Sequence, residues 1–248
     1  MAITLEPTTV LARRDWAPGL FSLVLDAEIP MTAGQFVTVG TVAEGDRHSR
    51  RAYSAASAPG APLELLVVEV EDGRVSPMLA GTQAGDTLYV SDRGKGLFTV
   101  DGLPEDRELW LIATGTGLAP YLSMLREGAI FTQFPKIVLA YGVRQSEHLA
   151  YLDELRQMEA AHEDSLRVVP LCSRTEPPEG GLRGRVTERL LDGTLEHTAG
   201  THIERERSHV LLCGNPKMID EMTGLLMARG LQRHSRRVPG HITAERYW

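Results

Sequence analysis

Apolar positions follow two different rhythms along the 248 residues. As far as Asp101 they come as short or alternating runs: FSLVLDA at 21–27, QFVTVGTV at 35–42, LELLVVEV at 63–70 and DTLYVSD at 86–92. Turn formers separate these runs, as in Ala17-Pro18-Gly19, Thr32-Ala33-Gly34, Ala58-Pro59-Gly60 and Glu71-Asp72-Gly73. Period-two strands punctuated by Gly, Pro and Asp predict an all-β antiparallel barrel or sandwich. A short helix is predicted at Ser76-Pro77-Met78-Leu79, with Ser76 as N-cap and Pro77 at the first helical position.

From Glu108 onward, strand patterns alternate with helix patterns. LWLIAT at 109–114 reads as a buried strand and 119–127 as the helix after it. KIVLAYGV at 136–143 is a second strand, followed by a helix with Leu149, Leu152, Leu155 and Met158 along one face. LRVVPLCS at 166–173, RVTERLLDG at 185–193, HVLLCGN at 209–215 and residues 218–229 continue the alternation. Such a chain predicts an α/β doubly wound parallel sheet with right-handed crossovers, binding nucleotides at the carboxyl ends of its strands. Two domains are therefore expected, 1–101 and 102–248, meeting near Asp101-Gly102-Leu103-Pro104.

Composition narrows the function. A formal charge of −7 argues against a general nucleic-acid or membrane-surface role, although local basic patches remain open. No run reaches the roughly 18 apolar residues that span a bilayer, and MAITLEPTTVLARRDW has no apolar signal core, so a cytoplasmic protein is expected. Cys172 and Cys213 are the two cysteines, too few for a disulfide framework or for ligating an iron–sulfur cluster. Cys172 reads as core.

Two motifs carry candidate chemistry. Thr114-Gly115-Thr116-Gly117-Leu118-Ala119-Pro120 follows the LWLIA strand. Its glycines allow a sharp turn and close approach to a phosphate, and the next helix offers free N–H groups to an anion. Pro stands where a dinucleotide fingerprint has its third glycine, so the loop alone also fits a plain strand-to-helix connection. The second motif is Arg51-Ala52-Tyr53-Ser54. Alternation puts Arg51 and Tyr53 on one face of a strand and Ser54 on the other. Arginine can grip a pyrophosphate, a tyrosine ring can stack on a flat heterocycle, and a serine hydroxyl can bond a ring nitrogen. By itself this segment fits an edge strand with a solvated arginine and a half-buried tyrosine better.

Taken in order, RAYS at 51–54, DGRVSPML at 72–79, ATGTGLAPYLSML at 113–125, Ser173-Arg174, LLCGNPKMI at 211–219 and GHITAERYW at 240–248 resemble the ferredoxin/flavodoxin–NADP⁺ reductases of the short bacterial type. The resemblance covers essentially the whole chain. It implies FAD and NADP(H) as cofactors, with hydride passing between them and single electrons passing between FAD and a ferredoxin or flavodoxin. Arg51 and Ala52 would lie along the FAD pyrophosphate, Tyr53 on the isoalloxazine and Ser54 near its N5. Gly73, Arg74, Val75 and Ser76 would form a second phosphate cradle, and Thr116 would approach both cofactors. In the α/β half, Arg144, Ser173, Arg174 and Arg185 would hold the 2′-phosphate of NADPH, with Arg185 preferred over its neighbour Arg183. Asn215 and Asp220 would line the nucleotide, Asp220 near the adenosine. Cys213 would pack beside the nicotinamide C4, and Glu245 would be the carboxylate close to it. Tyr247 would cover the flavin face and Trp248 the adenine side.

With no cluster ligands of its own, the chain needs a separate one-electron acceptor. The resemblance implies an acidic ferredoxin or flavodoxin, bound transiently by a monomer. Arg229, Arg233, Arg236, Arg237 and Arg246 supply a local basic surface, extended by Arg47, Arg50, Arg126 and Arg144. Three other readings arise: a free-flavin reductase or oxygenase reductase component, an electron-transfer subunit with a C-terminal cluster, which two cysteines exclude, and a flavin-binding or scaffold module without activity.

Overall fold

The computed structural model describes residues 5–41, 49–235 and 237–246. The chain forms two compact units, one comprising Met1–Thr99 with Ala119–Glu127 and the other Val100–Leu118 with Gly128–Trp248.

The first unit is an antiparallel sheet of six strands: β1 (Leu5–Ala17), β2 (Leu20–Leu25), β3 (Phe36–Gly40), β4 (Arg50–Ser54), β5 (Leu63–Val68) and β6 (Thr87–Ser91). Their order is β4-β3-β6-β1-β2-β5, and a bridge between Ala55, just past β4, and Leu65 of β5 brings the two ends together as a barrel. Alternate positions face inward, so Phe21, Leu23 and Leu25, Val37 and Val39, Leu63, Leu65 and Val67, and Leu88 and Val90 make one core.

β1 has no counterpart in the apolar pattern. Thr8, Thr9, Arg13, Arg14 and Asp15 hide its periodicity, and irregularities at Val10/Ala12 and Asp15/Ala17 let one strand pair first with β6 and then with β2. A short helix, α1 (Ser76–Ala80), does form, but its N-cap is Val75 rather than the predicted Ser76. Ser76 lies inside the helix, and its hydroxyl accepts from the Val70 N–H at 3.0 Å instead of capping. Helix α2 (Ala119–Glu127) packs within this unit: the Tyr121 ring lies 5.8 Å from that of Phe98, and Ser123 Oγ donates to Ser57 O at 2.7 Å.

The second unit is a wholly parallel sheet of β7 (Glu108–Thr114), β8 (Ile137–Val143), β9 (Leu166–Cys172), β10 (Leu182–Arg183), β11 (Ser208–Gly214) and β12 (Ile242–Arg246). The order is β10-β9-β8-β7-β11-β12, so the chain winds outward from β7 in one direction and returns to its other side at β11. Helices α3 (Ile130–Gln133), α4 (Leu152–Ala161), α5 (Val186–Leu191), α6 (Thr194–Ala199) and α7 (Pro216–Ala228) connect the strands. β11 is buried throughout, as expected of a strand covered on both faces. On one face Trp110, Ile112, Val138, Val169 and Leu212 pack against Leu190, Leu195, Met222 and Leu226 of the helices. The edge strands β10 and β12 and helices α3 and α6 are too short to show a period in the sequence. Among the described residues no helix is long and apolar enough to cross a membrane.

Candidate functional site

In the first unit, β4 ends the strand order and presents Arg51 and Ala52 to solvent, Tyr53 half-buried and Ser54 buried. Its ladder to β3 pairs Tyr53 with Val37 and Ser54 with Phe36. Burial pushes the Tyr53 phenol up to about 12, partly offset by the Arg51 guanidinium, so the ring is a neutral stacking surface. Nearby in sequence, the Val70–Ser76 loop closes on itself: the Gly73 N–H donates to Val70 O at 2.7 Å while Val70 N–H donates to Ser76 Oγ. A Cβ on Gly73 would stand 2.8 Å from both Ser76 Oγ and Val70 O, so only glycine allows this tight turn. Arg74 is exposed beside it, and Val75 is buried in the barrel core.

In the second unit, the chemistry gathers where the winding reverses, between the carboxyl ends of β7 and β11. That is the place where doubly wound sheets take nucleotides. After β7 the chain makes a tight turn, Gly115–Leu118, and Thr116 is half-buried in it. A Cβ on Gly117 would lie 2.5 Å from Cys213 O, and one on Gly214 would lie 2.6 Å from Thr114 O. Gly214 also has φ +126, which side-chain-bearing residues rarely adopt. These glycines let two strand ends meet backbone to backbone. The Thr114 hydroxyl locks the junction by accepting the Asn215 N–H at 2.8 Å. Thr114 opens the loop motif named above but was given no role of its own there; its place directly before the Gly-rich turn was the available signal.

Asn215 caps α7, its Oδ1 accepting from the Lys217 N–H at 2.9 Å. Asp220, on the same helix, is ion-paired with Arg246. Cys213 is fully buried and Glu245 half-buried, opposite one another in the β11–β12 ladder. Cys172 is likewise buried, and burial pushes its thiol up.

At the ends of β8, β9 and β10 the backbone draws four more of the named residues together. Arg174 N–H donates to Arg144 O at 2.8 Å, Ser173 N–H to Val143 O at 3.1 Å, and Gly184 N–H to Cys172 O at 2.9 Å, which brings Arg185 to the same edge. Arg144, Arg174 and Arg185 are exposed and, among the described residues, none is paired with a carboxylate through its side chain. Arg183, by contrast, is ion-paired with Glu176.

Several residues of the expected basic surface are engaged elsewhere. Arg229 pairs with Glu196 at 2.8 Å, Arg246 with Asp220, and Arg126 with Glu64 at 2.5 Å. Arg233 and Arg237 are exposed. Tyr247, Trp248, Arg47 and Arg236 lie outside the described residues.

Residues 111–223 match the oxidoreductase NAD-binding domain family. The chain is 41% identical to a flavodoxin/ferredoxin–NADP reductase of Escherichia coli strain K12, over 95% of each sequence. It is 32% identical to a ferredoxin–NADP reductase of Pseudomonas aeruginosa, over 96% of this chain and 95% of that one. Its fold is similar to a crystal structure of a ferredoxin NADP⁺ reductase from Neisseria gonorrhoeae with bound FAD and NADP, with a TM-score of 0.90, 30% identity and 99% of each chain covered. The chain belongs to the flavodoxin/ferredoxin–NADP reductase family.

Proposed function

We propose that this protein is an FAD-dependent reductase that exchanges electrons between NADP(H) and a ferredoxin or flavodoxin, working as a cytoplasmic monomer. The observation that carries the reading is the junction of Thr114–Gly117 with Cys213–Asn215 at the point where the parallel sheet reverses, in a chain that matches reductases over nearly its full length. Bound FAD supplies the conversion between two-electron and one-electron chemistry. The protein's own residues bind, orient and exclude water.

In this reading Arg51 grips the pyrophosphate of FAD with its forked donors, Ala52 lets the chain lie close to it, and Tyr53 stacks on the flavin. Ser54 directs its hydroxyl to the flavin nitrogen that accepts hydride. Gly73, Arg74, Val75 and Ser76 offer a second phosphate cradle, in a loop held in shape by its own Gly73–Val70 and Val70–Ser76 bonds. Thr116 lies along the nucleotide phosphates. Arg144, Ser173, Arg174 and Arg185 receive the 2′-phosphate: three uncommitted guanidinium groups and a hydroxyl at one sheet edge suit a dianion. The ion pair from Arg183 to Glu176 supports Arg185 as the phosphate ligand of the two. Cys213 packs beside the nicotinamide and shapes its seat, with Glu245 as the neighbouring carboxylate. Asn215 keeps its side-chain NH₂ for the nucleotide while its oxygen caps α7, and Asp220 lies towards the adenosine. Docking is transient and electrostatic, through the exposed Arg233 and Arg237.

The competing reading is a reductase for free flavin or for an oxygenase. NADPH-driven reduction of a panel of ferredoxins, flavodoxins, free FMN and free FAD separates them. Faster reduction of at least one ferredoxin or flavodoxin than of either free flavin is the expected result. Preference for a free flavin would favour the competitor.

A further inference from the structure

Arg126 lies on α2, directly downstream of the nucleotide loop, yet its guanidinium serves the barrel. Its Nη1 donates to Ala56 O at 2.9 Å and to Glu64 Oε2 at 2.5 Å. One helical turn earlier, Ser123 Oγ donates to Ser57 O at 2.7 Å from a fully buried position. Glu64 grips the same two residues with its backbone: its C=O accepts the Ala56 N–H at 2.8 Å, and its N–H donates to Ser57 Oγ at 3.1 Å. Ala56 and Ser57 are the run-out of β4, two and three residues past Ser54.

β4 needs such a hold. Among the described residues β4 itself is laddered to β3, and only its run-out meets β5, through the Ala55–Leu65 bridge and the Ala56–Glu64 bond; a strand so held frays first at its termini. The means chosen is informative as well. The Arg126 and Glu64 side chains are 19% and 18% exposed, and a partly buried ion pair adds little stability over apolar residues of similar volume. What it does supply is a fixed direction: one guanidinium nitrogen, Nη1, joins a carboxylate on β5 to a carbonyl just past β4.

We infer that Arg126 is a positioning residue for the flavin: with Ser123 and Glu64 it clamps the carboxyl end of β4 and so fixes where Tyr53 and Ser54 stand. The inference rests on the reading of those two residues as flavin contacts. It makes α2 the element through which the flavin strand is set, although α2 follows the nucleotide loop in sequence.

The test measures FAD affinity and the fluorescence of bound FAD, together with the unfolding midpoint of the apoprotein. Arg126→Gln is expected to weaken FAD binding about tenfold and to brighten the bound flavin, because Tyr53 no longer stacks squarely on it. Arg126→Lys, which keeps the charge facing Glu64, is expected to recover most of the affinity. The double variant Arg126→Met with Glu64→Leu carries the test should the single variant fail to fold. It is expected to keep the apoprotein's midpoint while still losing FAD affinity. A double variant that binds FAD as tightly and as darkly as the parent overturns the inference. Tyr53→Leu separates this from failure of the underlying reading. A flavin that stays dark in Tyr53→Leu sinks both, whereas a bright flavin there and a dark, tightly held one in the double variant sinks the inference alone.

Discussion

Cys213 and Glu245 are direct partners in the parallel ladder of β11 and β12. In-register neighbours on a pleated sheet project to the same side, so a buried thiol and a half-buried carboxylate from distant segments share one face. Both stand at the carboxyl end of the sheet, beside the strand end that Thr114 ties to Asn215. The thiol is enclosed, and free cysteine there is a small shape-defining group. Replacing Cys213 by Ala is expected to slow flavin reduction by NADPH at least tenfold, since small misplacements of reacting groups cost up to about 100-fold. FAD affinity is expected to stay as in the parent. Rapid-mixing absorbance of both proteins checks this; an unchanged rate would show that Cys213 only fills space.

Nucleotide choice is expected to turn on the exposed arginines Arg144, Arg174 and Arg185. Arg174→Ala is expected to raise the KM for NADPH by about 10- to 150-fold, the worth of one charged contact to phosphate, and to leave NADH nearly unaffected. Arg183→Ala should do little, because Glu176 already holds that side chain. Steady-state kinetics with both cofactors decide. A parent enzyme that uses NADH and NADPH equally contradicts the assignment.

The opposite end of β11 carries a pH dependence. His209 is fully buried, its Nε2 lies 2.9 Å from Thr243 Oγ1, and its ring meets His234 edge-on at 5.5 Å. Burial, and then the charges of His234, Arg107 and His241, hold it down at about 3. His241 is lowered as well, first by burial and then by Arg107 and Arg205. The unfolded chain therefore takes up protons that the folded chain refuses. Stability from neutral His209 is complete above the ordinary value of 6.5 and falls as pH drops from there towards 3. The expected slope is about 1.4 kcal/mol per pH unit. Urea unfolding between about pH 7 and about pH 5 should show it, and His209→Gln should flatten it. Parallel slopes for the two proteins would remove His209 from the account.

Partner docking is expected to depend on Arg233 and Arg237, both exposed, more than on Arg229 or Arg246, which are ion-paired within the fold. Exposed charges are screened beyond about 8 Å at physiological salt, so ferredoxin reduction should fall with ionic strength. Reversing Arg233 and Arg237 to Glu should slow ferredoxin reduction while sparing ferricyanide, which needs no docking surface. Equal losses with both acceptors would point to a damaged flavin site.

Much of this was legible in the sequence because the apolar period changes from two to a strand–helix alternation, and burial enforces both patterns. RAYS and the Gly-rich turn were read through the resemblance, since each alone also fits a plain edge strand or a strand-to-helix turn. β1 was hidden because Thr8, Thr9, Arg13, Arg14 and Asp15 obscure its alternation. Ser76 was misread as a cap because its hydroxyl could serve either its own helix or the Val70 amide, and only the folded loop decides. The commitments of Arg126, Arg183, Arg229 and Arg246 were illegible too, since each partner is brought near by the fold.

The most direct measurement of the central claim is an anaerobic titration of the purified, FAD-loaded protein, following the flavin's visible absorbance. Adding NADPH should bleach the band, and oxidised ferredoxin or flavodoxin added afterwards should restore it, with NADH far less effective at the first step. A protein that binds no FAD, or whose bound flavin keeps its colour under excess NADPH, would contradict the account.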